Sequence, residues 1–229
     1  KAANYIFPTA QLKTEDVIST WAGLRPLIHE DGKSPSDLSR KDEIFISESG
    51  LISMAGGKLT GFRKMAERAV DTALKQLMME KGLSYTFCTT ENVTLAGGDK
   101  KKKKTIAIFE NKLVKKYPKI DANSVISLTR KYGSNAIEIL KISAKYSDQK
   151  HGLLLAEIDY SIENEMCLSL GDFIVRRTGR LYFERPSLEE IYPIIHQHIN
   201  SKLAISESNA SQDLEVFEKE YHAVMNFIK

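Results

Sequence analysis

Cysteine is scarce in this sequence, and the scarcity excludes several kinds of site. The two cysteines, Cys88 and Cys167, lie far apart, and no CxxC motif occurs. This spacing indicates neither a zinc site nor a disulfide framework, which fits a reducing compartment. Long apolar runs are also missing, because no segment approaches the roughly 20 residues that a helix needs to span a bilayer.

Charge of one sign is equally limited. The formal net charge is +3 over 229 residues, which is too small to argue for a nucleic-acid partner. The one concentrated charge is the run of five lysines at residues 100–104. Such a run can contact phosphates or an anionic membrane surface, but a solvated linker is the commoner structure and the one that we favour.

The histidines predict no metal site. His196 and His198 stand two residues apart in a predicted helix, so they point to different faces and cannot bind the same ion. His151 and His222 have no evident partner in the sequence. His29 lies between Arg25 and Arg40, close enough in sequence to reach a site there, although we favour a surface position in the loop. We therefore expect no bound metal.

The order of apolar patterns divides the chain. Residues 17–24 are typical of a buried strand, residues 44–46 and 51–55 predict a β-hairpin around Gly50, and residues 85–87 are strand-like. Beyond the lysine run, apolar periodicity predicts amphipathic helices at residues 106–117, 124–132, 135–146, 162–167, 172–178, 188–203 and 213–227. Ser187 and Glu190 form a capping-box pattern before one of them. We therefore predict a mixed α/β segment at residues 1–92, a lysine-rich linker at residues 93–105 and a helical domain at residues 106–229.

The strongest single helix prediction follows a glycine-rich corner, the segment Gly56-Gly57-Lys58-Leu59-Thr60. Apolar residues from Phe62 to Leu77 recur at three- and four-residue spacing, with Thr60 as a candidate N-cap and Gly82 as the stop.

The corner itself matches neither the GxxxxGK of a P-loop nor the GxGxxG of a dinucleotide fold. Adjacent glycines allow a ligand to approach the backbone, and Lys58, Thr60 and the first-turn N–H groups suit an electron-rich edge, such as a phosphate or a reduced flavin. A tight strand-to-helix turn with a solvated lysine explains the same residues, and on this segment alone we favour the turn.

Two arginines suggest an anion site. Arg25 stands beside Pro26 at the end of an apolar run, and Arg40 stands where a polar loop returns to the next strand. A guanidinium binds phosphate or carboxylate in a bidentate manner, so the two arginines and Lys58 could converge on one anion. Alternatively, Arg25 ends a strand and Arg40 is an ordinary surface residue.

The order of these segments resembles one family. WAGLRPL, a polar loop that contains a proline, SRKDEI and a strand that ends in AGGKLTGFRKMAE follow one another as in the FAD-dependent glycerol-3-phosphate dehydrogenases. The resemblance is strongest over Val17–Leu77, and LGDFIVRRT at residues 170–178 looks like the C-terminal domain of that family.

The resemblance implies a fold and a set of site residues. The fold would be an α+β N-terminal segment, the last section of an FAD/substrate domain of the glycine/D-amino-acid oxidase type, followed by an all-α C-terminal domain. Arg25 and Lys58 would be catalytic, and Arg25 with Arg40 would bind the substrate. The cofactor FAD would lie against Gly56, Gly57, Lys58, Leu59 and Thr60.

The resemblance also implies a reaction. The enzyme would oxidise sn-glycerol 3-phosphate to dihydroxyacetone phosphate, transfer hydride to FAD and pass the electrons to a quinone. It would be cytoplasmic and peripheral on the inner face of the cell membrane, with a homo-oligomer allowed. The GxGxxG unit that holds the ADP half of FAD is missing from these residues, so we expect this chain to be the C-terminal part of the enzyme and to be inactive alone.

Two alternatives remain at this point. An alpha-glycerophosphate oxidase of the same family passes electrons to oxygen, although the short interval from Arg25 to Arg40 favours the dehydrogenase. The helical region could instead be a non-catalytic module for membrane docking or dimer contacts, with Lys100–Lys104 as its anionic-lipid contact.

Overall fold

The computed structural model describes residues 1–24, 28, 42–98, 105–147 and 150–225. These residues form two compact units, one of residues 23–95 and one of residues 1–22 together with residues 96–229. We call them the hairpin unit and the helical unit, and each is described by itself. The domain boundaries expected at residues 92 and 105 stay a prediction.

The described residues are mostly helical, with one small sheet. The two strands are β1, Asp42–Ile46, and β2, Ile52–Gly56. The α-helices are α1 Ala2–Ile6, α2 Phe62–Lys81, α3 Ile106–Lys116, α4 Ala122–Tyr132, α5 Ala136–Ser143, α6 Gly152–Glu165, α7 Arg180–Phe183, α8 Arg185–Leu203 and α9 Glu207–Ala223. A π-helix covers Asp172–Arg177, and short 3-10 helices include Thr14–Asp16, Leu59–Gly61, Thr90–Asn92 and Gly133–Asn135.

The predicted hairpin is confirmed in the hairpin unit. Strands β1 and β2 pair antiparallel, with Asp42 opposite Gly56 and Ile46 opposite Ile52. The turn between them closes where the Ser47 N–H donates to the Leu51 carbonyl at 3.0 Å. Gly50 has φ +82°, a conformation that costs glycine little and other residues more.

Helix α2 packs against β2 and is the helix that the apolar periodicity predicts. It begins one residue later than the sequence suggested, because Thr60 lies in the 3-10 turn Leu59–Gly61 and Gly61 is the N-cap. Its end at Gly82 is confirmed: this glycine has φ +62° and its N–H donates to the Met78 carbonyl at 2.9 Å. No residue of α2 is fully buried in the part of the chain that the structure describes.

The helical unit has two apolar clusters. The first joins α3, α4, α5 and α6 around Val125, Ile139 and Leu140, all of which are fully buried. The second joins α6, the π-helix, α7, α8 and α9 around Phe173 and Leu181, which are also fully buried. Helix α6 contributes to both clusters and therefore connects the two halves of the unit.

Two predicted strands are wrong. Residues 17–24 and 85–87 carry no regular element. Instead of pairing with a strand, the first segment crosses the helical unit, where the Thr20 N–H donates to the Val224 carbonyl at 2.7 Å. In the second segment, Phe87 is almost fully exposed, and residues 85–87 do not join the β1–β2 sheet.

Three helix predictions need correction. Helix α6 covers Gly152–Glu165 and ends before Cys167, so the predicted helix at 162–167 captures only its last turn. Residues 172–177 are helical but form a π-helix, in which the Thr178 N–H donates to the Phe173 carbonyl at 3.0 Å. The capping box is wrong because α8 already begins at Arg185, and the Ser187 hydroxyl bonds the Glu184 carbonyl at 2.8 Å instead.

The segment that follows the hairpin unit is fixed by a close backbone contact inside the helical unit. The Ser134 N–H donates to the Gly97 carbonyl at 2.9 Å. A Cβ on Gly133 would lie 2.2 Å from the Gly97 carbonyl oxygen, so only glycine permits this approach. The lysine run at 100–104 lies outside the described residues. Among the helices that are described, none is both long enough and apolar enough to cross a membrane.

Candidate functional site

The glycine corner lies at the point where the hairpin passes into helix α2. Strand β2 ends at Gly56, and Gly56 and Gly57 have φ of +76° and +78°. Two consecutive residues in this region of φ reverse the chain sharply and strongly favour glycine. The 3-10 turn Leu59–Gly61 then leads directly into α2, so the corner sits beside the helix N-terminus.

Packing inside the unit gives Gly57 a second reason to be glycine. A Cβ at this position would lie 2.7 Å from Sδ of Met65 and 3.2 Å from Cβ of Asp42. Met65 is on the predicted apolar face of α2, and its thioether lies directly beneath the corner. The tight turn therefore accounts for Gly57 without a ligand.

A cavity of about 330 Å³ opens beside the corner. It is lined by Asp42, Gly57, Lys58, Thr60, Gly61, Lys64, Met65 and Arg68. Its charges are predominantly positive, because Lys58, Lys64 and Arg68 face a single carboxylate, that of Asp42. Arg68 forms an ion pair with Asp42, and Lys64 forms one with Glu67 at 2.9 Å.

Lys58 is the cation of this cavity that stays available. It is exposed and, within the described residues, forms no ion pair. It stands immediately after the two glycines and before the first turn of α2, so a cationic side chain and N–H groups with partial positive charge lie close together. This arrangement can bind an anionic or electron-rich group.

The structure brings together part of the predicted site. Gly57, Lys58 and Thr60 border the cavity, Gly56 ends the strand beside it, and the Leu59 side chain is 90% exposed. Arg25 and Arg40 lie outside the described residues, so their predicted roles stay predictions.

Sequence reasoning missed the three other charged residues that line the cavity, Asp42, Lys64 and Arg68. Lys64 and Arg68 are four residues apart on α2 and therefore share one face, a signal that was readable in the sequence. Asp42 lies opposite Gly56 in the hairpin, and the exact strand register is needed to place it there. The cavity is thus more cationic than the glycine-lysine segment alone suggests.

These groups fit part of FAD. Two glycines, a helix N-terminus and a lysine that forms no ion pair with any described residue suit the electron-rich edge of a flavin. They do not provide a dinucleotide-binding βαβ unit, and among the described residues the only strands are those of the hairpin. The described residues of the hairpin unit therefore fit one edge of the cofactor.

The helical unit contains a buried ionic cluster of a different character. The Glu157 carboxylate accepts hydrogen bonds from Arg180 at 2.7 Å, from Tyr132 at 3.0 Å and from Lys131 at 3.2 Å. Burial alone would raise the pKa of Glu157, but the positive charges of Arg180 and Lys131 outweigh it and hold the pKa below its usual value. Burial, followed by the charge of Glu157, raises the pKa of Tyr132.

A cavity of about 530 Å³ lies against this cluster, and its charges nearly cancel. Arg180 is bonded to Glu157 and Glu184, Lys131 to Glu157, and Lys150 to Glu190. Each carboxylate already has a cation, which is typical of a structural network. We therefore assign no ligand to this cavity.

A second polar cluster joins α6 and α8. The Asp159 carboxylate contacts Nε2 of His198 at 2.9 Å and accepts the Tyr146 hydroxyl at 2.5 Å. Burial would raise the pKa of Asp159, but these hydrogen bonds and the charge of Lys202 lower it. His196 instead contacts the Ala210 carbonyl at 3.0 Å, so the two histidines face different elements, as their spacing predicts. No group of side chains within the described ranges could hold a metal ion.

Comparison with known proteins gives a consistent result. Residues 88–210 match a family model described as the C-terminal domain of alpha-glycerophosphate oxidase, which is more than half of this chain. The chain is 47% identical over 187 residues to an aerobic glycerol-3-phosphate dehydrogenase of Staphylococcus epidermidis, a stretch that covers 80% of the chain and 34% of that protein. It is 46% identical over 187 residues to an aerobic glycerol-3-phosphate dehydrogenase of Staphylococcus aureus, with the same coverage.

One similar solved structure is that of a glycerol-3-phosphate dehydrogenase from Bacillus halodurans complexed with FAD. The superposition has a TM-score of 0.80 at 35% sequence identity and covers 100% of this chain and 45% of that one. The matched stretch covers about a third of the length of the two staphylococcal relatives.

Proposed function

This chain belongs to the family of the C-terminal domain of alpha-glycerophosphate oxidase, and from that membership we propose that it functions as part of an FAD-dependent glycerol-3-phosphate dehydrogenase. The enzyme would oxidise the secondary alcohol of sn-glycerol 3-phosphate to dihydroxyacetone phosphate. The observation that carries the proposal is the cationic cavity beside the glycine corner, in a chain that is 47% identical to an aerobic glycerol-3-phosphate dehydrogenase.

In this proposal, the finer fold assignment of the N-terminal part also applies. Residues 1–92 would be the last section of an FAD/substrate domain of the glycine/D-amino-acid oxidase type, and the helical region would be the C-terminal domain. The β1–β2 hairpin and α2 are the elements of that section that bring the corner to the cofactor.

FAD supplies the acceptor for hydride when it is bound. The backbone of Gly56, Gly57, Leu59 and Thr60 would line it, which the positive φ of the two glycines and the absence of their side chains support. Lys58 would stabilise negative charge on the reduced cofactor or on the developing alkoxide, because a fixed cation in a partly enclosed site lowers the energy of such charge.

The arginines would hold the substrate. Arg40 would bind the phosphate, since a guanidinium fork matches two phosphate oxygens, and Arg25 would contact the substrate beside the flavin. Holding the substrate so that its C2 atom faces the cofactor supplies much of the rate in a reaction of this kind.

We assign a quinone as the electron acceptor and a cytoplasmic, peripheral position on the inner face of the cell membrane. The oxidase, which uses oxygen, is the second candidate, because the matching family model is described from an alpha-glycerophosphate oxidase. Anaerobic and aerobic assays separate the two: a dehydrogenase reduces a quinone without oxygen, whereas an oxidase produces peroxide and needs oxygen.

The deciding experiment uses the full-length protein with its flavin under anaerobic conditions. Addition of glycerol 3-phosphate should bleach the flavin absorbance, and Arg25→Ala should abolish the bleaching. A wild-type protein that binds flavin but does not bleach would show that the substrate is wrong. A full-length protein that binds no flavin would leave the glycine corner as a turn alone.

A further inference from the structure

Charge is unevenly distributed along the helical unit. Residues 106–150 contain nine lysines and arginines against four carboxylates, whereas residues 151–229 contain seven against thirteen. The small net charge of the whole chain therefore conceals a basic segment and an acidic one. The basic segment includes α3, α4 and α5, and a concentration of positive charge raises the local concentration of anionic ligands.

A cavity of about 640 Å³ opens in this basic segment, and its volume is typical of a small-molecule site. Its wall includes the connection between α3 and α4, the end of α5 and the start of α6. The described lining contains three lysines, Lys116, Lys119 and Lys150, against one carboxylate, that of Asp121. We call it the lysine cavity.

Two of the three lysines have no direct counter-ion. Lys116 and Lys119 are exposed and form no ion pair within the ranges that the structure describes. The Nζ atom of Lys116 lies 5.5 Å from the centre of the Tyr117 ring, which also lines the cavity. Lys150 bonds Glu190 at 2.7 Å and therefore contributes less. Two ammonium groups are thus available to a ligand.

The Asp121 carboxylate is engaged elsewhere. It caps α4 by accepting the Ser124 N–H at 2.8 Å and the Ser124 hydroxyl at 3.1 Å. These hydrogen bonds hold the pKa of Asp121 below its usual value. Since the carboxylate bonds the first turn of α4 and forms no ion pair with a described residue, it is not a direct counter-ion for Lys116 or Lys119.

The rest of the wall combines aliphatic side chains with hydroxyl groups. Ile120, Leu140 and Leu153 line the cavity and belong to the first apolar cluster or pack against it. The hydroxyls of Tyr117 and Ser147 also line it, and neither is hydrogen-bonded to another described residue. A ligand in this cavity would therefore meet ammonium groups, hydroxyl groups and apolar surface together.

Lysines without an arginine favour a phosphate over a carboxylate. An ammonium group binds a phosphate oxygen as a point charge, whereas planar, bidentate recognition of a carboxylate is typical of arginine. The described lining of the lysine cavity includes no arginine. A phosphomonoester carries about 1.5–2 negative charges at pH 7, which suits the two ammonium groups that lack a described counter-ion.

We propose that the lysine cavity binds an organic phosphate, with the phosphate against Lys116 and Lys119 and the organic part against Leu140 and Leu153. The inference goes beyond the proposed function and does not depend on it, because none of these residues belongs to the glycine corner. A phosphomonoester occurs both in soluble phosphate esters and in the head group of phosphatidic acid, and the test separates these two sources.

The first experiment titrates phenyl phosphate into the 229-residue chain by calorimetry at low ionic strength, where charge attraction is screened least. We expect one site per chain with a Kd of about 1 mM or below. Phenol lacks the phosphate and inorganic phosphate lacks the apolar part, so each should bind about tenfold more weakly or worse. If phenyl phosphate shows no saturable binding, or binds no better than inorganic phosphate, the inference is wrong.

Two pairs of lysines provide a matched comparison. Lys116→Gln with Lys119→Gln should weaken binding about tenfold or more, because both charges that face the phosphate are lost. Lys112→Gln with Lys115→Gln removes two exposed lysines of α3 that lie outside the lining and should change the Kd less than about threefold. Equal weakening in the two variants would attribute binding to the general charge of the segment and would overturn the site.

Amide chemical shifts locate the bound phenyl phosphate in the ¹⁵N-labelled wild-type chain. The amides of residues 116–121 and 140–147 should shift with the same Kd as the calorimetric one, while those of the glycine corner should not. Shifts confined to the glycine corner would overturn this inference and would instead support an anion site there, as the proposed function requires.

Sedimentation with vesicles identifies the source of the phosphate. If the chain binds phosphatidylcholine vesicles that contain phosphatidic acid, and the Lys116→Gln, Lys119→Gln variant alone loses this binding, the ligand is the lipid head group. Binding of phenyl phosphate without binding to these vesicles assigns the cavity to a soluble phosphate ester. Both results support the site. Vesicle binding that survives in the variant, together with unchanged phenyl phosphate affinity, contradicts it.

Discussion

The Glu157 carboxylate lies 2.7 Å from Nη2 of Arg180, and this ion pair connects the two halves of the helical unit. Glu157 is on α6, its side chain is only 4% exposed, and Arg180 begins α7 with a side chain 16% exposed. The pair therefore connects helix α6 to the short helix α7.

Loss of the Glu157 charge should destabilise the helical unit strongly. Glu157→Gln leaves Lys131 without a carboxylate partner among the described residues and leaves Arg180 with Glu184 alone. Removing one partner of a buried pair costs about 3–5 kcal/mol. We expect the free energy of unfolding of the 229-residue chain, measured by chemical denaturation, to fall by an amount of that order.

An exposed ion pair provides the comparison. Glu215→Gln removes a carboxylate that bonds Lys219 at 2.7 Å on the surface of α9, and such pairs contribute only about 0.3–0.5 kcal/mol. Similar losses for the two variants would mean that the Glu157 cluster is not the buried centre that its contacts indicate.

The same carboxylate predicts loss of stability in acid. Its pKa in the folded protein lies below the unfolded value of about 4.5, so the unfolded chain binds more protons between the two pKa values. The stabilisation is therefore fully present above about pH 4.5 and is lost as the pH falls through the folded pKa. Each proton of difference contributes a slope of about 1.4 kcal/mol per pH unit.

Unfolding free energies measured from pH 7 to pH 3 check this dependence. The wild-type chain should lose stability more steeply below pH 4.5 than Glu157→Gln, which has no carboxyl group to titrate at that position. Parallel curves would show that other carboxylates, such as Asp159 with its lowered pKa, account for the whole acid response.

The elements that sequence predicts well here are those fixed by local chemistry. The hairpin follows from two short β-prone runs around Gly50, and α2 follows from the spacing of its apolar residues and the stop at Gly82. Both elements are determined by residues that are close in sequence, so both can be predicted without the rest of the chain.

The failures have long-range causes. Residues 17–24 are apolar enough for a strand, but Ser19 and Thr20 bond carbonyls that lie 163 and 204 residues further along the chain. Most of α6, residues 152–161, was missed because Glu157 and Asp159 interrupt its apolar pattern. Both side chains are buried, and they bind residues of other helices. No local sequence pattern indicates such partners.

The candidate site was only partly predictable for the same reason. The glycines, Lys58 and Thr60 are adjacent in sequence, so their proximity was certain. Arg68 could be placed from helical spacing, whereas Asp42 reaches the cavity through strand pairing that sets its register against Gly56.

The contact beneath the glycine corner predicts a difference between two glycines of the hairpin unit. Gly50 and Gly57 have nearly the same φ, +82° and +78°, but a Cβ meets nothing within 4 Å at Gly50 and lies 2.7 Å from Met65 Sδ at Gly57. Alanine should therefore cost about 1–3 kcal/mol of backbone strain at either position, with an added packing cost only at Gly57. Hydrogen exchange of the β1–β2 amides in the two variants measures both costs.

A second substitution isolates the packing part. The double variant Gly57→Ala, Met65→Ala removes the thioether that the added Cβ would meet. Its hydrogen-exchange protection, corrected for the effect of Met65→Ala alone, should then approach that of Gly50→Ala. No recovery would mean that Met65 moves aside without cost and that backbone conformation is the whole reason for Gly57.

The exposed position of Lys58 predicts an effect on chemistry without an effect on folding. In the full-length flavoenzyme, Lys58→Gln removes the one cation of the cavity that has no ion-pair partner among the described residues. We expect kcat to fall about 10²–10³-fold, because a fixed charge that stabilises a developing anion acts mainly in the transition state. Lys64→Gln is the matched control, since Lys64 lines the same cavity but is bonded to Glu67 at 2.9 Å; it should change kcat less than about tenfold. Steady-state kinetics with glycerol 3-phosphate, at equal FAD content, measures both variants. Equal losses in the two would attribute the effect to the overall positive charge of the cavity, and the specific role of Lys58 would then be wrong.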